Sequence, residues 1–115
     1  GSTAVPVTYV LDVGHALYRP LYGPEVTIDS WLTALGPDIS VIHVQNHDFM
    51  SDAHWGWPDS RGSYDVAGLA RAMRNAGLEH VPIILELFFP FEMSDAEVLA
   101  QTVSSVEHCR AALAG

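Results

Sequence analysis

The chain has 115 residues, 49% of them hydrophobic, and sets 14 acidic against 5 basic side chains for a formal charge of −9. Apolar residues spread along the whole length exclude a disordered tail, and five scattered arginines (Arg19, Arg61, Arg71, Arg74, Arg110) with no lysine argue against a nucleic-acid surface. The most apolar stretch, Val81 to Phe91, is broken by Pro82, Glu86 and Pro90 and is about half the length of a spanning helix, so no membrane partner is expected.

The opening Gly1-Ser2, without a methionine, reads as a cloning scar. A lone Cys109 and the lack of a secretory segment in this sequence predict a cytoplasmic, reducing compartment. Thr8 to Leu11 predicts a short buried strand ending at Asp12. His15 to Glu25, with two prolines and a glycine, predicts a loop. Ile28, Trp31, Leu32 and Leu35 then fall at helical spacing, with Thr27 or Asp29 as cap, Gly36 at the left-handed C′ position and Pro37 as stop. Ile39 to Val44 predicts a second strand, and Val66, Ala67, Leu69, Ala70 and Met73 a helix ending at Gly77. Val81 to Leu87 predicts a third strand. Ser94 with Glu97 forms a capping box that opens a helix on Val98, Leu99, Val103, Val106 and Leu113.

Three β-α units in series imply a parallel sheet with right-handed crossovers, whose ligands collect at the carboxyl ends of the strands. Three strands alone leave two unpaired edges and a bare face. Either a larger barrel or sheet contains them, or the chain assembles with copies of itself.

Asp12, His43 and Glu86 end the three strands, so a parallel arrangement brings them to one rim. As a set they suit Mn²⁺, Mg²⁺, Co²⁺ or Zn²⁺. Each also has an ordinary reading: the histidine as a satisfied core residue, the aspartate as a cap. Glu86 is the exception, because a carboxylate inside VPIILELFF must be paired or ligated. The 19-residue loop QNHDFMSDAHWGWPDSRGS, Gln45 to Ser63, is too long to be idle in a small domain. In it Asp52 and His54 either ligate a metal or orient a catalytic group, and Arg61 suits a phosphate or carboxylate. Trp55 and Trp57 either wall a sugar pocket or bury against another subunit. His15 serves proton transfer or a substrate hydroxyl, or else bonds a backbone carbonyl. Phe88, Phe89 and Phe91 read as packing, and His80, His108 and Cys109 as structural. Neither a glycine-rich phosphate cradle nor a G-x-S-x-G elbow occurs.

The run Leu11-Asp12-Val13-Gly14-His15, then Ile42-His43-Val44-Gln45-Asn46, Ser51-Asp52-Ala53-His54, Gly62-Ser63-Tyr64-Asp65 and Ile84-Leu85-Glu86, resembles the C-terminal part of the xylose-isomerase-like TIM barrels. That superfamily holds sugar (phosphate) isomerases and epimerases, hydroxypyruvate isomerases and endonuclease IV-type repair enzymes. The resemblance spans essentially the whole chain. It implies that Asp12, His43 and Glu86 are metal ligands on successive late strands, that His15 contacts substrate, and that Asp52 and His54 lie beside or on the metal. The family's second glutamate, from an earlier strand, has no counterpart here, and a complete barrel runs to about 250 residues. Glu86 becomes the acid/base that moves a proton next to a carbonyl. The DNA-repair branch fits poorly with the negative charge.

The expectation is therefore an α/β fold: one partial (βα) TIM barrel over residues 1–115, three β-α units on a parallel sheet, completed by oligomerisation or by a missing N-terminal part. Its function is expected to be that of a divalent-metal-dependent sugar or sugar-phosphate isomerase or epimerase. Glu86 and His15 are catalytic, Arg61, Trp55 and Trp57 bind substrate, and Asp12, His43, Glu86, Asp52 and His54 hold metal. A homo-oligomer is expected. The rival is a non-catalytic, self-assembling barrel fragment without the full site.

Overall fold

The β-branched apolar runs form three strands, β1 (Tyr9–Asp12), β2 (Ile39–Val44) and β3 (Ile83–Leu85). They pair in parallel in the order β1-β2-β3. The computed structural model describes residues 5–114, so the Gly1-Ser2 pair lies outside the described residues. Strand β3 is shorter than the Val81 to Leu87 run because Pro82 has no N–H for the ladder. The Pro82 carbonyl still accepts from Ile42 N–H at 3.0 Å, and Glu86 N–H donates to the Val44 carbonyl at 3.0 Å.

Five helices follow the strands. The stretch expected to be a loop instead holds two single turns, α1 (Val13–Ala16) and α2 (Arg19–Tyr22). Asp12 caps the first, its Oδ1 accepting from His15 N–H at 3.0 Å. Pro20 sits in the first turn of the second, where its missing N–H is not needed. Helix α3 (Ile28–Leu35) is capped by Thr27 and ends at Gly36, whose φ of +51° leads into a short 3₁₀ turn through Asp38. Helix α4 (Val66–Ala76) is capped by Asp65 and closed by Gly77 in the left-handed conformation, φ +72°. Helix α5 (Asp95–Ala114) starts at Ser94, whose Oγ accepts from Glu97 N–H at 3.2 Å.

Helix α3 packs on α4 and α4 on α5. Together they cover the sheet face that carries Leu11, Ile42 and Val44, and Leu32, Val66, Leu69, Met73, Leu78 and Val81 complete the core. Each such side chain contributes about 1.5–3 kcal/mol by leaving water. The inward line of α5 differs from expectation. It runs through Ser105 and Cys109, which are buried, whereas Leu99 and Val103 face solvent. The opposite sheet face has no covering layer among the described residues: Val10 is 58% and Ile84 50% exposed there. The outer edges of β1 and β3 are likewise unpaired among the described residues. This open, three-stranded parallel sheet with helices on one face matches the three β-α units expected. No described helix is long and apolar enough to cross a membrane.

Candidate metal centre

The strand register fixes the first cluster. Asp12 lies directly beside His43 across β1 and β2, and Glu86 follows β3 by one residue, so all three side chains reach the same rim on the uncovered face. His43 Nδ1 lies 2.6 Å from Glu86 Oε2. One donor atom from each of Asp12, His43 and Glu86 falls within 4.8 Å of the others. Two carboxylates and an imidazole at that spacing are a hard-to-borderline donor set that suits a divalent first-row ion or Mg²⁺.

A second cluster stands beside it. His15 Nε2 and His54 Nε2 converge on Asp52 Oδ1 at 2.8 and 3.0 Å, again with donors within 4.8 Å of one another. His15 and Asp52 are exposed and His54 is buried. The hydrogen bond His15 donates to Asp52, together with the charges of Asp12, Asp52 and Glu86, raises the His15 pKa above its ordinary value. The bonds from His15 and His54 hold the Asp52 carboxyl below the usual range. The sequence reading grouped Asp52 and His54 with the first three ligands and gave His15 a separate role. The structure sorts the six residues into two triads, with His15 in the second.

Between the triads lies Gln45, fully buried. Its Nε2 donates to Asp12 Oδ1 at 3.1 Å, reaches Oδ2 at 3.3 Å and lies 3.2 Å from His54 Nδ1. Sequence reasoning assigned it no role. The available signal was the triplet Gln45-Asn46-His47, three polar residues continuing a buried strand without a break in burial.

Asn46 holds the long loop in place. Its Nδ2 donates to the carbonyls of Gly56 and Asp59, both at 3.1 Å, and its Oδ1 accepts from Tyr64 N–H at 3.2 Å. Its backbone exchanges two bonds with Trp55. His47 is buried and stacked on Tyr64, 4.8 Å between centroids, with Nδ1 accepting from Phe49 N–H at 3.3 Å. Burial depresses its pKa to about 4. Asp48 turns back on its own loop, bonding the Met50 and Ser51 amides, which lowers its pKa.

Trp55 and Arg61 do meet near the rim. The guanidinium lies 4.4 Å from the indole and grips Asp59 with two bonds of 3.0 and 2.7 Å. They line a pocket of about 310 Å³ with Phe88, Phe89 and Gln101, and Phe88 stacks on His54 at 4.0 Å. Trp57 is not brought to the rim. Its ring stacks on His108 of α5 at 5.0 Å, and its N–H and carbonyl bond Ser105 and Ser104. It anchors the loop to α5 within this chain.

No family model and no curated protein matches the chain. Among solved structures, it is similar to a protein of Rhodospirillum rubrum provisionally named a xylose isomerase, with a TM-score of 0.85 and 34% identity. The match covers 96% of this chain and 37% of that protein, so the chain spans little more than a third of that protein's length.

Proposed function

We propose that this chain, whose fold is that of part of a xylose-isomerase-like TIM barrel, forms a single domain bearing the metal rim of a sugar or sugar-phosphate isomerase or epimerase. The observation that carries the reading is the convergence of Asp12, His43 and Glu86 at the carboxyl ends of three parallel strands, with donor atoms within 4.8 Å. Asp12, His43 and Glu86 would hold one divalent ion, and His15, Asp52 and His54 offer a second triad. The ion would supply polarisation of the substrate's carbonyl and hydroxyl oxygens.

The remaining chemistry belongs to the side chains. Glu86 is half-buried, with Oε2 engaged by His43. Its other oxygen takes the proton from the carbon next to the carbonyl and returns it to the neighbouring carbon, whereas an epimerisation would need a second acid on the opposite face, supplied from outside these three β-α units. His15, whose protonated form Asp52 favours, donates to a substrate oxygen as charge develops. Trp55 and Arg61 flank the substrate on the loop side. The lone, buried Cys109 is in keeping with a reducing cytoplasm.

The uncovered face of Val10 and Ile84 and the two open strand edges favour a second element of the reading. The chain is completed by further barrel strands, from copies of itself or from a separate segment, and without them it is a non-catalytic assembly module. Glu86→Gln tests the reading. Native mass spectrometry with added Mn²⁺ is expected to show about one retained ion per first triad in the wild type and at least tenfold weaker retention in the variant, with aldose–ketose conversion by the assembled protein lost. Equal ion retention by both proteins would remove the Glu86 assignment.

A further inference from the structure

We propose that Gln45 is a positioning residue that fixes the proton of His54 on Nε2 and ties that choice to Asp12. The consequence for cation binding rests on the metal reading above; the bonds themselves belong to the chain. Gln45 Nε2 reaches both Asp12 oxygens, at 3.1 and 3.3 Å. This sets the amide's orientation, because the flipped amide would press an oxygen against a carboxylate. The second N–H of the same nitrogen then faces His54 Nδ1 at 3.2 Å. An N–H only donates, so this bond needs Nδ1 as acceptor and favours the His54 proton on Nε2, where Asp52 Oδ1 takes it at 3.0 Å.

A competing arrangement is built into the same ring. The Glu86 carbonyl oxygen lies 3.0 Å from His54 Nδ1 and can only accept, which favours the proton on Nδ1. In that state Nε2 presents a lone pair to the centre of the His15/Asp52/His54 triad, the form a metal ligand requires. Gln45 and the Glu86 carbonyl therefore pull His54 toward opposite tautomers, one a hydrogen-bond donor and the other a ligand. Both opponents are connected to the first triad, Gln45 through Asp12 and the carbonyl through Glu86 itself. The chain reserves space for the amide: a Cβ at Gly14 would stand 3.0 Å from Gln45 Nε2. The Gln45 Oε1 is buried without a hydrogen-bond partner, so the amide is placed for its donors.

Long-range ¹H–¹⁵N NMR of the histidine rings in the metal-free chain reads the tautomer directly, with His54 assigned by the loss of its signals in His54→Asn. The wild type is expected to show His54 protonated on Nε2. In Gln45→Met, which keeps the side chain's length and removes both donors, the two ring nitrogens are expected to exchange their shifts as the proton moves to Nδ1. A wild type already protonated on Nδ1, or a Gln45→Met spectrum with His54 unchanged, overturns the proposal. If Gln45→Met does not fold, the wild-type spectrum alone still decides it. Zn²⁺ added to the wild type separates the two readings. Movement of the His54 proton to Nδ1 supports the coupling, whereas shifts at His15 and His43 with His54 unmoved overturn it. No shift at any histidine, with His54 protonated on Nε2, sinks the metal reading and leaves Gln45's role standing.

Discussion

Removing the Asn46 side chain is expected to destabilise the fold and disorganise the second triad together. The amide makes three bonds from a fully buried position, two as donor to Gly56 and Asp59 and one as acceptor from Tyr64. Each contributes about 0.5–1.5 kcal/mol net, and Asn46→Ala leaves two carbonyls and an amide N–H short of partners with no room for easy rehydration, so a loss of about 2–4 kcal/mol follows. Asn46→Asp sharpens the test. It keeps the acceptor for Tyr64 but sets a carboxylate oxygen, where the amide nitrogen stood, against two carbonyl oxygens, and should cost at least as much as the alanine. Urea unfolding followed by tryptophan fluorescence measures both variants. Because the loop that Asn46 pins carries Asp52 and His54, Zn²⁺ binding at the second triad should fall even in the folded fraction. If both variants unfold within about 0.5 kcal/mol of the wild type, the loop is held by something other than Asn46 and the reasoning fails.

His47 gives a pH dependence of known sign. Its pKa is about 4 when folded against 6.5 when free, so the unfolded chain binds the extra proton first, and the stability is present above pH 6.5 and lost as pH falls toward 4. The loss is about 3 kcal/mol, and it should be smaller in His47→Gln; equal pH dependence of the two urea midpoints would refute it. Burial pushes the Cys109 thiol up to about 11, so a thiol reagent at pH 8 should label it slowly in the native chain and at once in urea, and rapid native labelling would contradict the packing of α5. Val10→Glu places a charge on the bare sheet face and is expected to convert an oligomeric wild type to monomer in native mass spectrometry. A wild type that is already monomeric at micromolar concentration would count against self-association.

What was legible in the sequence was whatever follows from a sustained period or a single residue's backbone chemistry. The run Ile39–Val44 marked β2 to the residue, and Thr27, Gly77 and Ser94 marked helix ends because caps act locally, although the Asp65 cap of α4 was passed over. Parallel pairing followed from alternation, and with it came Asp12, His43 and Glu86 at one rim. The turns α1 and α2 were hidden because four residues carry no period and Pro20 reads as a breaker unless its place in the first turn is known. Helix α5 misled for another reason. Its apolar residues outnumber what this chain buries, so Leu99 and Val103 implied a packed line that the structure leaves exposed. Gln45 and Asn46 were passed over because amides neither titrate nor ligate strongly, and their importance lies in what they join. Trp57 could not be told from Trp55 by composition, since only the fold shows that one stacks on His108 of α5 and the other lines a pocket with Arg61 and Phe88.

Parallel strands lie about 4.7–4.9 Å apart, so Asp12 and Glu86, at the ends of the strands either side of β2, start two spacings apart and their side chains must reach inward to bring donors within 4.8 Å of each other and of His43. What the ligand set needs from the backbone ladder is the instruction as to which residue of each strand is level with its neighbour. That instruction is written on the far side of the sheet. Leu11, Ile42 and Ile83 lie level under the helices, and a slip of β2 by one residue would bury His43 in the core and lift an apolar side chain to the rim. Core substitutions such as Ile42→Val or Leu11→Val can therefore be read as tests of chemical fidelity as much as of stability. The grease on one side of the sheet specifies the chemistry on the other.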